Sequence, residues 1–394
     1  MANPTGHAGP RKERADRLDR SRVAWLNQFD PYSPLAGGVE RSIREVGSRL
    51  SRLGHAVTVV SERWPGIPRS DTRDGMELLR PSGRVGVHFW TMKHMGAEYR
   101  SSPYDVAIQD LAKIVPWTVP GARVRTPSVM FLHHLFGKHI MNEVTPFEAV
   151  PLMTLERVVP WLERSADWVT ETELHRTFLR RTGVPAQKIH VIRPGVDHST
   201  FGYKAGTRAP GPVIAYTGRL KRYKRVDLAI RAAATLKKTY PDLELWIAGT
   251  GNEAPRLGKL VDKLGMTRTV RFKGPVSEEE LANTYRRAWV NVQPSIVEGW
   301  GFTILEAAAC GTPTVAFRNS VFPETVGPPA QPFLAEEGSI SSLTEELADC
   351  LAVMASHGEA MAQDCVRYTL QYNWDKTASE YSALLDSIAS TGAG

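Results

Sequence analysis

The sequence predicts an α/β protein made of two doubly wound domains, each a parallel sheet flanked by helices. Apolar runs of strand length alternate with helical patterns along the whole chain, which is typical of strand-helix-strand units. This alternation starts afresh at Pro212. At 394 residues the chain also exceeds what one hydrophobic core usually covers. We therefore expect two domains of roughly 180 residues each.

The first series begins with a strand at Val23 to Leu26. A helix is predicted to follow, because apolar residues then recur at intervals of three and four: Val39, Ile43, Val46, Leu50 and Leu53. Further strands are predicted at Ala56 to Val60, Val106 to Ile108, Val129 to Leu132 and Ile189 to Ile192.

The second series begins with a strand at Val213 to Tyr216 and a helix marked by Val226 and Ala233. The next strand is predicted at Leu243 to Ala248. The Gly- and Pro-containing stretch Tyr203 to Pro212 is the best candidate for a linker. We predict a disordered tail at 1–20, an N-terminal acceptor-binding domain at 21–203 that also takes the final helix 374–394, and a C-terminal donor-binding domain at 204–373.

Composition excludes several classes of protein. Hydrophobic residues make up 42% and charged residues 23%, which is typical of a globular protein. No apolar run approaches the roughly 20 residues of a membrane helix, and the charged first twenty residues do not resemble a secretory signal. Three cysteines without close spacing indicate neither a disulfide framework nor a metal site. We expect a cytoplasmic protein, with the inner membrane face as an open alternative, and no nucleic-acid partner.

The excess positive charge lies in the first half of the chain. Residues 1–200 contain 28 Lys and Arg against 21 Asp and Glu, whereas the remaining residues contain 21 of each. One interpretation is an anionic partner for the N-terminal domain. The alternative is a basic tail plus chance.

Two glutamates mark a candidate ligand site after a strand predicted at Val290 to Val292. Glu298 and Glu306 are eight residues apart around two glycines, and a helix is predicted to begin near Phe302. Such a turn presents free backbone N–H groups and the positive end of a helix dipole to a ligand. Each carboxylate can accept two sugar hydroxyls, so the pair suits a donor with a pyranose and a ribose. Solvated helix charge is the alternative.

The stretch Ser295 to Pro313 resembles the E-x7-E signature of the GT-B glycosyltransferases of family four. The resemblance continues, in the order of the family, through His190 to Phe201, Tyr216 to Lys224, Ile247 to Asn252 and Val270 to Tyr285. It implies two facing Rossmann-like domains with a cleft between them and a C-terminal helix that crosses back to the N-terminal domain.

Two cations follow the strand that begins the second series. The resemblance assigns Arg219 and Lys224 to the departing diphosphate, whose charge two fixed cations can balance without a metal. No Asp-x-Asp, the pair with which another class of sugar transferases binds a divalent cation, occurs in the sequence. We therefore predict no metal site and no cofactor.

Neighbouring basic residues leave an alternative open at this loop. Lys221, Arg222 and Arg225 are also basic, so the segment would equally suit a basic surface helix. Arg225 stands where the family usually has glycine. Whether Lys224 or a neighbour reaches the phosphate therefore stays open.

The resemblance also assigns the donor site. It implies that Glu298 binds the transferred sugar and Glu306 the ribose, and that the loop Gly249 to Gly251 lies beneath the nucleotide. The backbone of Val270 to Val276 would pair with the base, which leaves uridine and guanosine open. The predicted donor-binding residues are Gly38, Gly218, Arg219, Lys224, Gly249, Gly251, Lys273, Val276, Glu298, Gly301, Phe302, Thr303, Ile304 and Glu306.

The N-terminal half has weaker signals. Gly37 and Gly38 precede a predicted helix, where a turn lets the backbone approach a phosphate; an ordinary tight turn is the alternative. By resemblance His133 lies beside the donor sugar and completes a catalytic set with Arg219, Lys224 and Glu298. His134 replaces a more usual aspartate, so the two histidines could exchange roles. Trp374 opens the crossing helix, although core packing would explain it equally.

The resemblance implies a retaining, metal-independent hexosyltransferase that uses a UDP- or GDP-sugar and a hydroxyl acceptor. The acceptor is unidentified, and we expect it to be anionic or at a membrane surface. The alternatives are a phosphorylase or non-hydrolysing epimerase on the same fold, or a catalytically silent protein that binds nucleotide sugars. The stretch 85–104 matches no pattern.

Overall fold

The computed structural model describes residues 20–34, 36–83, 85–91, 104–111, 117, 127–142 and 145–391. Residues 1–19 of the predicted tail and residues 92–103 of the unassigned stretch lie outside this part. The chain folds into two compact units. The first takes Met1–Phe131, Leu162–Val169 and Thr377–Gly394, and the second takes Leu132–Trp161 and Thr170–Lys376. The domain boundaries at 203 and 373 stay predictions.

The first sheet has eight strands in the order β3-β4-β2-β1-β5-β6-β7-β8. They are β1 (Arg22–Leu26), β2 (Ala56–Val60), β3 (Ser70–Arg73), β4 (Met76–Leu79), β5 (Val106–Asp110), β6 (Ser128–Leu132), β7 (Asp167–Thr170) and β8 (Ile189–Val191). The helices of this part are α1 (Gly38–Arg52), α2 (Pro146–Leu162) and α3 (Glu173–Arg181), with 3-10 turns at Gly137–Asn142 and Ala186–Lys188. Residues 86–91 are also helical. The ladders that join β4, β2, β1, β5 and β6 are parallel, as predicted.

An antiparallel hairpin at the edge of this sheet was not predicted. Its first strand, β3, is short and polar, so it lacks the apolar run by which a buried strand is recognised. The turn is Asp74-Gly75, and both residues have positive φ angles, which is the geometry this dipeptide favours between two strands. Arg80, just after β4, is fully buried and forms an ion pair with Asp30, which anchors the hairpin.

The second sheet has six strands in the order β11-β10-β9-β12-β13-β14. They are β9 (Val213–Thr217), β10 (Glu244–Ala248), β11 (Val270–Gly274), β12 (Val290–Gln293), β13 (Thr314–Phe317) and β14 (Leu334–Ala335). The helices are α4 (Val226–Leu236), α5 (Ala254–Lys263), α6 (Glu278–Arg287), α7 (Phe302–Ala309), α8 (Phe322–Thr325), α9 (Gly327–Ala330) and α10 (Ile340–Thr369). All ladders of this sheet are parallel, and β9 is buried along its whole length, as a strand covered on both faces requires.

The final helix, α11 (Trp374–Thr391), returns to the first unit as predicted. The Tyr381 ring lies 5.9 Å from the Trp25 ring, and the Ser382 hydroxyl is 2.8 Å from His55 Nε2. Ser21 donates a hydrogen bond of 3.1 Å to Asp386. Aromatic packing and polar contacts together therefore dock the end of the chain on the first sheet.

Among the described residues, none of the helices combines the length and the apolar composition needed to cross a membrane.

Candidate active site

The loops after β9 and β10 touch backbone to backbone. A Cβ on Gly249 would lie 2.0 Å from the carbonyl oxygen of Gly218, and one on Gly251 would lie 2.1 Å from that of Leu220. Gly249 also has a φ of +131°, a conformation that other residues rarely adopt. Close packing between the two loops therefore explains why both positions are glycine.

An ion pair joins two of the predicted catalytic residues. Lys224 Nζ contacts Glu298 Oε1, and both side chains are largely buried, at 13% and 16% exposed. The backbone N–H of Glu298 donates a hydrogen bond of 3.1 Å to the Ser320 hydroxyl, which fixes the loop after β12. The structure thus brings together residues that are 74 positions apart.

Arg225 has a left-handed backbone, with φ of 50° and ψ of 38°. Glycine adopts this conformation without steric cost, which gives a physical reason for the glycine usual in the family. The Arg225 side chain turns to Asp227, with an Nε to Oδ1 distance of 3.3 Å. Of these two neighbours, Lys224 is therefore the cation that faces Glu298.

Arg219 lies in the same polar cluster. Its Nη2 is 3.5 Å from the Tyr223 hydroxyl, and its carbonyl oxygen accepts a hydrogen bond of 3.1 Å from the Tyr216 hydroxyl. Burial raises the pKa of Tyr216, the negative charge of Glu298 raises it further, and Arg219 opposes the shift. The buried Tyr216 hydroxyl therefore interacts electrostatically with both Arg219 and Glu298.

The turn after β6 packs against the glutamate loop, within the second unit. A Cβ on Gly299 would lie 2.4 Å from the His133 carbonyl oxygen and 3.3 Å from His134 Cβ. His133 is 6% exposed, and its Nδ1 is 3.9 Å from Glu171 Oε1. The structure therefore places the predicted catalytic histidine next to the residue that follows Glu298.

Both neighbours of His133 titrate far below the usual range for histidine. Burial lowers the pKa of His134 to about 3, helped by the charges of His133, His175, Arg219 and Lys224. Burial, with His133 second, lowers the pKa of His175 to about 4. His175, in the first turn of α3, carries no motif that would have identified it from the sequence.

Glu306 is buried in α7 at 4% exposed. Tyr285 donates a hydrogen bond of 3.3 Å to its Oε2, and the Thr217 hydroxyl is 2.5 Å from the Tyr285 hydroxyl. This chain links the helix after the glutamate loop to the end of β9. Tyr285 lies inside a segment of family resemblance, but nothing in the sequence singled out its hydroxyl.

The predicted base-binding segment also reaches the glycine loop. The N–H of Gly249 donates a hydrogen bond of 2.8 Å to the carbonyl oxygen of Gly274, between Lys273 and Val276. The Lys273 ammonium lies 4.2 Å from the centre of the Trp246 ring and donates to the Thr284 hydroxyl at 3.0 Å. Its side chain is thus engaged locally, which leaves its backbone for the predicted role.

Four further predicted donor residues lie at the start of α7. Gly301, with φ of +93°, precedes the helix, and Phe302, Thr303 and Ile304 form its first turn. Phe302 stacks on Trp374 with ring centres 6.2 Å apart, so Trp374 has a packing role at the start of α11.

Gly38 belongs to the first unit, where it begins α1. The N–H of Gly37 donates a hydrogen bond of 2.7 Å to Glu40, whose carboxylate also accepts from Asn27 at 3.1 Å. The backbone N–H of Gly37 is therefore already hydrogen-bonded at the start of α1.

Across the described residues, no cluster of three or more His, Cys, Asp or Glu side chains could bind a metal ion.

Two Rossmann-like sheets with ligand loops at the carboxyl ends of their strands define the GT-B class of sugar transferases. The family described as Glycosyltransferase Family 4 matches residues 36–200, and Glycosyl transferases group 1 matches residues 203–366. A D-inositol 3-phosphate glycosyltransferase from Kribbella flavida is 32% identical over 400 residues, covering 87% of this chain and 89% of the relative. The chain belongs to glycosyltransferase family 4 and is a glycosyltransferase.

Other relatives agree over shorter or more distant matches. A D-inositol 3-phosphate glycosyltransferase from Corynebacterium urealyticum is 32% identical over 216 residues, which is 52% of this chain and 50% of that protein. Among solved structures, sucrose-phosphate synthase from Thermosynechococcus elongatus aligns with a TM-score of 0.79 at 22% identity, covering 94% of this chain and all of that one. The GT-B fold predicted from the sequence is thereby confirmed.

We predict that Gly249→Ala disrupts the packing between the loops after β9 and β10. The added methyl would meet the Gly218 carbonyl in a backbone conformation that alanine avoids, so we expect a loss of about 1 to 3 kcal/mol of unfolding free energy. Gly258→Ala in α5 is the matched control, because nothing lies within 4 Å of its Cβ and alanine favours helices. Denaturant unfolding compares them, and equal stability of the two variants would contradict the packing argument.

We also predict that buried neutral histidines make the fold acid-sensitive. The folded pKa values of His134 and His175 lie below the unfolded value of about 6.5, so their stability contribution is present above that pH and is lost as pH falls towards 4. Each should contribute a slope of about 1.4 kcal/mol per pH unit in that window. His175→Gln should flatten the profile measured by denaturation from pH 7 to 5, whereas exposed His357→Gln should not. Identical slopes in all three proteins would refute the assignment.

Proposed function

We propose that this enzyme transfers a hexosyl group, with retention at the anomeric carbon, from a nucleoside diphosphate sugar to a hydroxyl acceptor. The observation that carries the proposal is the ion pair between Lys224 and Glu298, with Arg219 in the same cluster and His133 packed on the adjoining loop. A cation for the leaving diphosphate and a carboxylate for the sugar are thus neighbours.

The proposed chemistry needs one bond to break and one to form on the same face of the sugar. The bond between C1 and the β-phosphate oxygen breaks, the acceptor oxygen bonds to C1, and the acceptor proton passes to the departing phosphate. Arg219 and Lys224 stabilise the charge that develops on the diphosphate. When the donor phosphate binds Lys224, the Glu298 carboxylate becomes available to accept hydrogen bonds from the sugar hydroxyls. His133, in a largely buried position, orients the sugar from the other side.

We propose that Glu306 binds the ribose and that the backbone from Lys273 to Val276 pairs with the base. The base is uridine or guanosine, and uridine is the first to test, because structures of Anabaena HepE, with the same fold at 17% identity, contain UDP and UDP-glucose. The donor contact predicted for Gly38 stays a prediction.

For the acceptor we propose a polyol that carries a phosphate. The relatives named D-inositol 3-phosphate glycosyltransferase motivate this class, and the net positive charge of the first 200 residues suits an anionic acceptor. Transfer from UDP-sugars to phosphorylated and unphosphorylated polyols, followed by product NMR, tests the assignment.

We predict that turnover needs Arg219 and continues in EDTA. Arg219→Ala removes a cation whose interaction strengthens as the sugar–phosphate bond breaks, so kcat should fall by about a hundredfold to a thousandfold, or about 2.7 to 4 kcal/mol. Arg219→Lys should also be impaired, because an ammonium lacks the bidentate geometry of a guanidinium. The control is Arg268→Ala, an exposed arginine beyond α5, which should leave kcat unchanged. A strict requirement for magnesium or manganese would refute the proposed stabilisation.

We predict different defects for the two glutamates. Glu298→Gln should mainly lower kcat, because it weakens contacts to the transferred sugar and the pair with Lys224. Glu306→Gln should mainly weaken nucleotide affinity, because Glu306 is proposed to bind the ribose. Calorimetric titration with UDP, alongside kinetics, separates the effects, and equal loss of UDP binding in both variants would contradict this division.

A further inference from the structure

Helix α2 presents an apolar stripe to solvent. Phe147, Val150, Val158 and Trp161 recur at helical spacing and are 92%, 63%, 37% and 53% exposed. At 1.5 Å per residue this stripe is about 21 Å long. A helix of a globular protein normally turns its apolar face to the core, so a solvent-facing stripe of this length indicates an interaction surface.

The exposed apolar residues of the protein cluster around this helix. Of the thirteen large apolar side chains that are exposed in the described part of the chain, seven lie between Met141 and Leu174. Chance scattering over the surface would not concentrate them in one short segment.

A groove of about 510 Å³ continues the stripe. Val158 and Trp161 line it together with Phe178, and Arg157 and Arg181 also line it. Neither arginine forms an ion pair within the described residues. None of the groove's six lining residues is acidic. The surface thus combines apolar side chains with two arginines, and the groove itself has no acidic lining residue.

This combination favours a lipid surface over a second copy of the chain. In a two-fold dimer the same patch would face itself, which would bring the arginines of both copies together. Anionic headgroups would instead neutralise them, while the apolar stripe enters the boundary between headgroups and acyl chains. Tryptophan is enriched at that boundary.

We propose that the surface formed by Phe147, Val150, Val158, Trp161, Phe178, Arg157 and Arg181 docks the protein on an anionic phospholipid bilayer, with α2 lying in the plane of the membrane. This docking goes beyond the proposed transfer and does not depend on which donor or acceptor the enzyme uses.

Co-sedimentation with vesicles tests the docking. The full chain should sediment with vesicles in which about a third of the lipid is phosphatidylglycerol, and far less with pure phosphatidylcholine. Phe147→Ser combined with Trp161→Ser should lower the vesicle affinity at least about tenfold, because both side chains leave the apolar boundary. Leu370→Ser, which removes an apolar side chain 61% exposed just after α10, is the matched control and should bind as the wild type does.

The charge requirement has its own pair of variants. Arg181→Glu should lower the vesicle affinity about tenfold, whereas Arg268→Glu, an equal change at an exposed site in the second series, should have little effect. Donor hydrolysis and melting temperature should stay at wild-type values in all variants, which separates this test from that of the proposed function. The proposal would be overturned if the protein did not sediment with the vesicles, or if the stripe and Arg181 variants sedimented as the wild type does. It would also be overturned if sedimentation velocity showed a dimer that Trp161→Ser dissociates.

Discussion

The candidate site depends on close contacts between backbone segments, and each contact has a glycine on at least one side. Parallel strands of the second sheet end at one edge, so the loops that follow β9 and β10 must share limited space. They do so because Gly249 and Gly251 have no Cβ, and because Gly249 can adopt a positive φ. Gly299 permits the same closeness to His133. These contacts hold four chain segments in two close pairs, the loops after β9 and β10 and the loops after β6 and β12.

The Glu298 carboxylate interacts with several charged and polar groups of the candidate site. Glu298 contacts Lys224, and its charge reaches the Tyr216 hydroxyl that also senses Arg219. The positive surroundings help to keep His134 neutral, since a further cation there would be buried beside two others. A bound diphosphate would change this balance, because it would compete with Glu298 for Lys224.

Two helices of the molecule use their apolar residues in different ways. The end of α11 is fixed on the first unit by the aromatic contact between Tyr381 and Trp25 and by polar contacts at Ser382 and Asp386. Helix α2 instead exposes Phe147 and its apolar neighbours to water. The first arrangement buries amphipathic helix surface within the chain, whereas the second leaves it for the proposed partner.

The sequence by itself determined the two α/β series, most of the parallel strands and the returning helix, because burial on both faces of a sheet requires continuous apolar runs that are visible locally. Motif resemblance also predicts Arg219, Lys224, Glu298 and His133 as catalytic residues. The sequence did not identify the polar hairpin strand β3, since an exposed edge strand needs no apolar run. Only the tertiary structure decided that Lys224 faces Glu298 and that buried His175 lies in the charge environment of His133, because contacts between distant segments are set by how strands order and loops pack.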